Sequence, residues 1–104
     1  MITILIADDH PIVRRGLKDI LTTQLDSVVC IEASDAEEAL LQARNQRLDL
    51  LLLDVTMPGR SGLDVLAELK RTQPRLPVLM LSMHSEDQYA TRVLKAGASG
   101  YLNK

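Results

Sequence analysis

Carboxylates stand at the ends of two apolar runs in this 104-residue chain. Asp8 and Asp9 follow ITILIA (residues 2–7), and Asp54 ends DLLLLD (residues 49–54). Carboxylates that lie close together repel one another, which raises a pKa or recruits a cation. Hard oxygen ligands without a thiolate suit Mg²⁺, and an Asp carboxylate can attack phosphorus to form an aspartyl phosphate. These residue types therefore indicate magnesium-dependent phosphoryl chemistry.

A hydroxyl and an ammonium group extend this set. Ser82 ends PVLMLS (residues 77–82), and Lys104 follows GYLN (residues 100–103). A lysine can bind a phosphoryl oxygen as a point charge, and a serine hydroxyl can donate a hydrogen bond to another oxygen. The sequence thus predicts that acidic, hydroxyl and basic side chains meet at one site.

Five short apolar runs alternate with segments of helical period, which favours a parallel α/β sheet with right-handed crossovers. The predicted strands are residues 2–7, 28–33, 49–54, 77–82 and 100–103, and the predicted helices are residues 11–25, a segment opening at the capping box SDAE (34–37), residues 62–73, and a segment from SEDQ (85–88) to AG (96–97). We expect a doubly wound sheet of order 2-1-3-4-5, with the first helix on one face and the other three opposite. Ligands of such sheets bind beyond the strand ends where the winding reverses, between strands 1 and 3.

The expected helices do not cover the expected sheet. One helix cannot cover a whole face of five apolar strands, so the sequence predicts a missing last helix or a partner on that face. We interpret residues 1–104 as a single domain. Its uncovered apolar face should favour a homodimer or a domain-swapped oligomer.

Composition excludes several functions. A net charge of −2 argues against DNA binding by this chain itself, because phosphate neutralisation needs clustered Lys and Arg. No apolar run approaches the roughly 20 residues of a membrane span, and MITILIADDH lacks the basic flank of a signal peptide. The single Cys30 suits a reducing cytosol. We therefore expect a cytoplasmic protein with no membrane partner.

The motifs together resemble those of a bacterial response-regulator receiver domain. They are ADDH, LLLLDVTMPGRSG, LS and GYLNK, and the resemblance covers essentially the whole chain. ADDHPIVRRGL, LSMHSEDQY and KAGASGYLNK resemble the NarL/LuxR-type transcriptional regulators in particular. The family continues past the lysine into a fifth helix, and NarL-type proteins then add a DNA-binding domain. The resemblance therefore implies a C-terminally truncated chain that would reach DNA only through an output domain it lacks.

The resemblance also implies residue roles at the site. Asp54 would accept a phosphoryl group from a sensor histidine kinase. Asp9, the Asp54 carboxylate and the backbone carbonyl of Thr56 would hold Mg²⁺, with Asp8 acting through water. Lys104 would contact a phosphoryl oxygen.

A switch pair follows from the same resemblance. The Ser82 hydroxyl would move toward the phosphoryl group, and the Tyr101 ring would follow it inward. The domain would thus be a phosphorylation-controlled switch that turns over no outside substrate. In the full-length protein it would regulate dimerisation and DNA binding.

Three other functions fit the sequence less well. A Mg²⁺-dependent phosphohydrolase resembling the haloacid dehalogenases would carry a second Asp two residues after its nucleophile, where this chain has Thr56. A flavin-binding module would need a hydroxyl-rich loop after strand 1 and aromatic stacking, but only two aromatic residues are present. A receiver-like module that is never phosphorylated would be expected to lack Asp54, Asp9 or the lysine.

The same residues have simpler structural explanations. These are helix capping by Asp8 or Asp9, turn capping by Asp54, strand closure by the small Ser82, and a static edge position for Tyr101. We expect His10 to face solvent near the site, and Arg14 and Arg15 to form a solvated helix face.

Overall fold

The computed structural model describes residues 1–57, 60–82 and 94–103. Strands and helices alternate along the chain. The elements are β1 (Ile2–Ala7), α1 (Pro11–Gln24), β2 (Val28–Ala33), α2 (Ala36–Asn45), β3 (Leu50–Asp54), α3 (Gly62–Thr72), β4 (Val78–Ser82) and β5 (Gly100–Asn103). None of these helices is long and apolar enough to cross a membrane.

The five strands form one parallel sheet of order β2-β1-β3-β4-β5, which confirms the predicted fold. Ala7 at the end of β1 pairs with Ala33 on one side and with Leu53 on the other. Because all strands run in the same direction, the residues that follow β1 and β3 emerge at the same edge of the sheet. The predicted meeting of strands 1 and 3 therefore holds.

Each strand sends alternate side chains to opposite faces of the sheet, as the period of two requires. Leu5, Leu51 and Leu53 pack with α2 and α3 in the larger cluster of buried residues. The opposite face has a smaller cluster, against which Leu17 and Leu21 of α1 pack. The buried members of the smaller cluster are Ile4, Ile6, Leu52 and Leu81.

The half-buried Cys30 lies on the α1 face and packs against the smaller cluster. Burial raises the pKa of its thiol, and the charge of Lys18 opposes part of that effect. Since a thiol with a raised pKa holds little thiolate, Cys30 acts as a packing residue.

The start of α2 differs from the predicted capping box. Its N-cap is Asp35 rather than Ser34, and a carboxylate oxygen of Asp35 accepts a hydrogen bond from the Glu38 amide at 2.8 Å. Asp caps helices as well as Ser does, and the shift keeps a glutamate at the third helical position. Both residues have favourable capping chemistry, so local pattern alone does not separate them.

The end of the fourth helix agrees with its prediction. Residues 94 and 95 are helical, and Gly97 follows with a φ of +107°, a conformation that glycine adopts without a steric penalty. The predicted start at residues 85–88 lies outside the described residues.

Candidate functional site

Three carboxylates meet at the strand ends, and we name Asp8, Asp9 and Asp54 the acidic edge. Asp8 and Asp54 are only 0% and 2% exposed, whereas 31% of the Asp9 side chain is exposed. Burying a carboxylate is costly unless hydrogen bonds or a positive charge compensate for the lost hydration. The acidic edge therefore needs donors or cations around it.

Backbone amides supply two of those donors. The His10 amide donates to Asp8 Oδ1 at 2.9 Å, and the Thr56 amide donates to Asp54 Oδ1 at 3.2 Å. The N-cap of α1 is His10, which makes no side-chain capping bond, so the helix-capping explanation for Asp8 and Asp9 is wrong. Asp54 does cap its own turn, through one of its two oxygens.

The imidazole of His10 lies against all three carboxylates. Its Nδ1 is 2.8 Å from Asp8 Oδ1, 3.1 Å from Asp9 Oδ1 and 4.0 Å from Asp54 Oδ2. The side chain is also 51% exposed, so one part of the ring meets solvent while Nδ1 points into the acidic edge. The expectation that His10 faces solvent near the site is therefore confirmed, and the contacts of Nδ1 with the carboxylates are what it did not include. The adjacent motif ADDH contained the signal, since a histidine directly after two strand-end carboxylates has few other places to turn.

Arg14 connects α1 to the segment that follows β1 and to β2 through two hydrogen bonds. Its Nη1 donates to the Asp8 carbonyl at 2.6 Å, and its Nε donates to Glu32 Oε1 at 3.0 Å. Only 16% of the Arg14 side chain is exposed, so its predicted place on a solvated face is wrong, whereas Arg15 is exposed as expected. Arg14 lies three residues before Leu17 and so shares the partly buried face of α1, a spacing that could have identified it.

Gly62 lets the N-terminus of α3 approach the end of β3. Its amide donates to the Val55 carbonyl at 2.7 Å. A Cβ added to Gly62 would lie 2.0 Å from the Asp54 carbonyl oxygen, a distance no side chain tolerates. The sequence predicted a helix from residue 62, but this close approach became visible only in three dimensions.

The remaining predicted residues lie on neighbouring strands or loops. Ser82 is 2% exposed at the end of β4, and Tyr101 on β5 is half-buried against the larger cluster. Thr56 is exposed just after Asp54. Lys104 lies outside the described residues.

The acidic edge and His10 fit a divalent cation by the chemistry of their donor atoms. Among the described residues, one ligand atom from each of Asp8, Asp9, His10 and Asp54 lies within 4.8 Å of the others. Magnesium and calcium prefer carboxylate oxygens, and a cation would offset the repulsion among the three carboxylates. The site is therefore suited to hold a metal ion between β1 and β3.

Known proteins match the chain over its whole length. The family model "Response regulator receiver domain" matches residues 4–104. The response regulator GacA of Pseudomonas viridiflava is 39% identical over 104 residues, all of this chain and 49% of the relative. The chain thus spans about half the length of the curated relatives that it matches.

Solved structures give the same result. A two-component response regulator of the LuxR family from Aurantimonas has a TM-score of 0.90 and 34% identity, covering 98% of this chain and 73% of that one. The response regulator TrrA of Thermotoga maritima, in complex with Mg²⁺-BeF, has a TM-score of 0.90 and 32% identity, covering 100% of this chain and 87% of that one. These relatives are regulators rather than phosphohydrolases or flavin carriers. The chain belongs to the response regulator receiver domain family, among the NarL/LuxR-type regulators of two-component systems.

Proposed function

We propose that this chain is a phosphorylation-controlled switch in which Asp54 accepts a phosphoryl group from the phosphohistidine of a sensor histidine kinase. The observation that carries the proposal is the convergence of three carboxylates at the ends of β1 and β3. Family membership adds that receiver domains serve two-component systems. The proposal therefore includes a sensor histidine kinase as the partner that donates the phosphoryl group, and a signal that this kinase senses.

The metal of this reaction is Mg²⁺. Asp9, the Asp54 carboxylate and the Thr56 carbonyl would hold it, and Asp8 would act through water. The bound cation would neutralise the phosphoryl oxygens against the carboxylates. Support comes from the oxygen-rich donor set of this chain and from the Mg²⁺-BeF complex of TrrA.

The acceptor step needs one oxygen of Asp54 to face the donor. The Thr56 amide holds Oδ1 at 3.2 Å and so orients the carboxylate. An oxygen of Asp54 forms a bond to phosphorus as the bond from phosphorus to the kinase imidazole breaks, and the freed imidazole keeps the electron pair. Lys104 would contact a phosphoryl oxygen. Water later hydrolyses the aspartyl phosphate, so no outside substrate is turned over.

The switch pair is Ser82 and Tyr101. Ser82 ends the strand beside β3, which supports a movement of its hydroxyl toward a phosphorylated Asp54. Tyr101 lies one strand further on and is half-buried, which supports an inward movement of its ring. Phosphorylation would thereby reach β5 and the helix before it.

Residues 1–104 would serve as the receiver part of a longer cytoplasmic regulator, since the relatives are about twice as long. DNA binding and its control by dimerisation would belong to the longer protein. The expected pairing of two copies through the α1 face also stays a proposal. Leu102, which is 49% exposed on β5 next to Leu81 of the smaller cluster, is one described apolar side chain that supports it. Sedimentation equilibrium would detect such a dimer.

The test is the intact mass of the chain after incubation with Mg²⁺ and acetyl phosphate. We expect one phosphoryl adduct in the wild-type chain and in Asp19→Asn, which removes an exposed carboxylate of α1 far from the acidic edge. Asp54→Asn should give no adduct, and chelation of Mg²⁺ should abolish labelling. An adduct that persists in Asp54→Asn, or none on a wild-type chain that is folded by circular dichroism, would contradict the proposal.

A further inference from the structure

The distances from His10 Nδ1 to the three carboxylates are compatible with ligand atoms around one metal ion. Nδ1 lies 2.8, 3.1 and 4.0 Å from oxygens of Asp8, Asp9 and Asp54, respectively. An ion with six ligands at about 2.1 Å keeps neighbouring ligand atoms about 3.0 Å apart and opposite ones about 4.2 Å apart. The 2.8 Å contact is a hydrogen bond between Nδ1 and Asp8 Oδ1, so Nδ1 is held at the acidic edge. One ligand atom from each of the four residues lies within 4.8 Å of the others, which places Nδ1 where it can join carboxylates around one cation.

The chemistry of an imidazole differs from that of the other donors. Carboxylates and carbonyls suit Mg²⁺, whereas an imidazole nitrogen suits zinc and related transition metals. Nδ1 can bind a metal when the ring proton is on Nε2. The 51% exposure of the side chain leaves the ring free to adjust its position toward an ion without disturbing packed neighbours.

We propose that His10 is a direct nitrogen ligand of the cation held at the acidic edge, and that it gives this site affinity for Zn²⁺ in addition to Mg²⁺. The inference rests on the proposed function in one respect, because both place a cation at the acidic edge. It adds a ligand and a metal preference to that site. A receiver site without a nitrogen donor at this position would favour the harder ion alone.

The test measures Zn²⁺ and Mg²⁺ binding to the unphosphorylated chain by isothermal titration calorimetry. His10→Asn is the matched variant, because its amide can donate hydrogen bonds to the carboxylates but lacks a ring nitrogen. The chain has two histidines, so His84→Asn controls for the loss of an imidazole elsewhere. Loss of a partner beyond the direct ligands of a metal costs about 10- to 100-fold in affinity. We therefore expect the ratio of Zn²⁺ to Mg²⁺ affinity to fall by at least about 10-fold in His10→Asn and to hold in His84→Asn.

A second readout reports on the bond itself. In chain labelled with ¹⁵N-histidine, one equivalent of Zn²⁺ should shift the Nδ1 resonance of His10, and the resonance is assigned by its absence in His10→Asn. The inference would be overturned if His10→Asn left the ratio of Zn²⁺ to Mg²⁺ affinity unchanged or lowered both affinities equally. It would also be overturned if the Nδ1 resonance did not shift when Zn²⁺ is added.

The two proposals fail separately. Wild-type chain that binds Zn²⁺ through His10 but is never labelled by acetyl phosphate would overturn the proposed function and leave His10 as a ligand. If Asp54 is phosphorylated but the Zn²⁺ affinity is the same in His10→Asn as in the wild-type chain, only the role of His10 is overturned.

Discussion

The two faces of the sheet are held by different forces. The face covered by α2 and α3 buries eighteen described residues in one cluster, whereas the α1 face buries four. No residue of α1 itself is buried. Because burial of apolar surface is the main favourable term in folding, α1 is attached more weakly than α2 and α3.

This difference divides the functional site as well. The backbone at Asp54 is held by the well-packed helix α3, because Gly62 lies directly against the end of β3, whereas the Asp54 side chain alternates to the α1 face with Leu52. Asp8, Asp9 and His10 lead into α1, which relies on polar contacts such as those of Arg14. The backbone at Asp54 is therefore held more firmly than the segment of Asp8, Asp9 and His10.

The largest effect that tests the comparison is expected for Leu66→Ala in α3. Leu66 is fully buried, so its loss should lower the free energy of unfolding by about 3 kcal/mol. The matched change Leu17→Ala in α1 removes a half-buried leucine and should cost about 1 kcal/mol. Urea denaturation followed by circular dichroism measures both. Equal losses at the two positions would contradict the unequal attachment of the helices.

A smaller effect is expected for Arg14→Met. It removes two charged hydrogen bonds while keeping most of the side-chain volume, and it should cost about 1.5 kcal/mol, since Glu32 remains partly hydrated. The exposed neighbour supplies the control, and Arg15→Met should change stability by less than about 0.5 kcal/mol. Hydrogen exchange should speed up mainly in α1. Indistinguishable results for the two arginines would show that polar contacts do not hold this helix.

The smallest effect has the opposite sign. Gly16 lies inside α1 with no heavy atom within 4 Å of an added Cβ, so Gly16→Ala should raise the free energy of unfolding by about 0.7 kcal/mol. Gly62→Ala in α3 provides the contrast, because its Cβ would strike the Asp54 carbonyl and stability should fall. Thermal unfolding of the two variants measures both signs. A loss of stability in Gly16→Ala would mean that α1 packs more closely than its exposure indicates.

Much of the fold could be predicted because its signals are local and repeated. Strands buried on both faces need continuous apolar runs, and the runs of β1 and β3 had the right length and position. Family membership was visible in the motifs around Asp54. The cap of α2 was misplaced by one residue, because Ser34 and Asp35 offer equivalent oxygens and only packing of the helix selects between them.

The sequence by itself determined the strand order and the meeting of Asp8, Asp9 and Asp54, because parallel strands must bring their carboxyl ends to one edge. Only the tertiary structure decided where the flexible side chains near that edge turn. The motif ADDH places His10 beside the carboxylates, and the spacing to Leu17 places Arg14 on the sheet side of α1, but neither pattern determines which atoms these side chains contact. The choice depends on the angle at which α1 crosses the sheet, which is set by contacts between residues far apart in the chain.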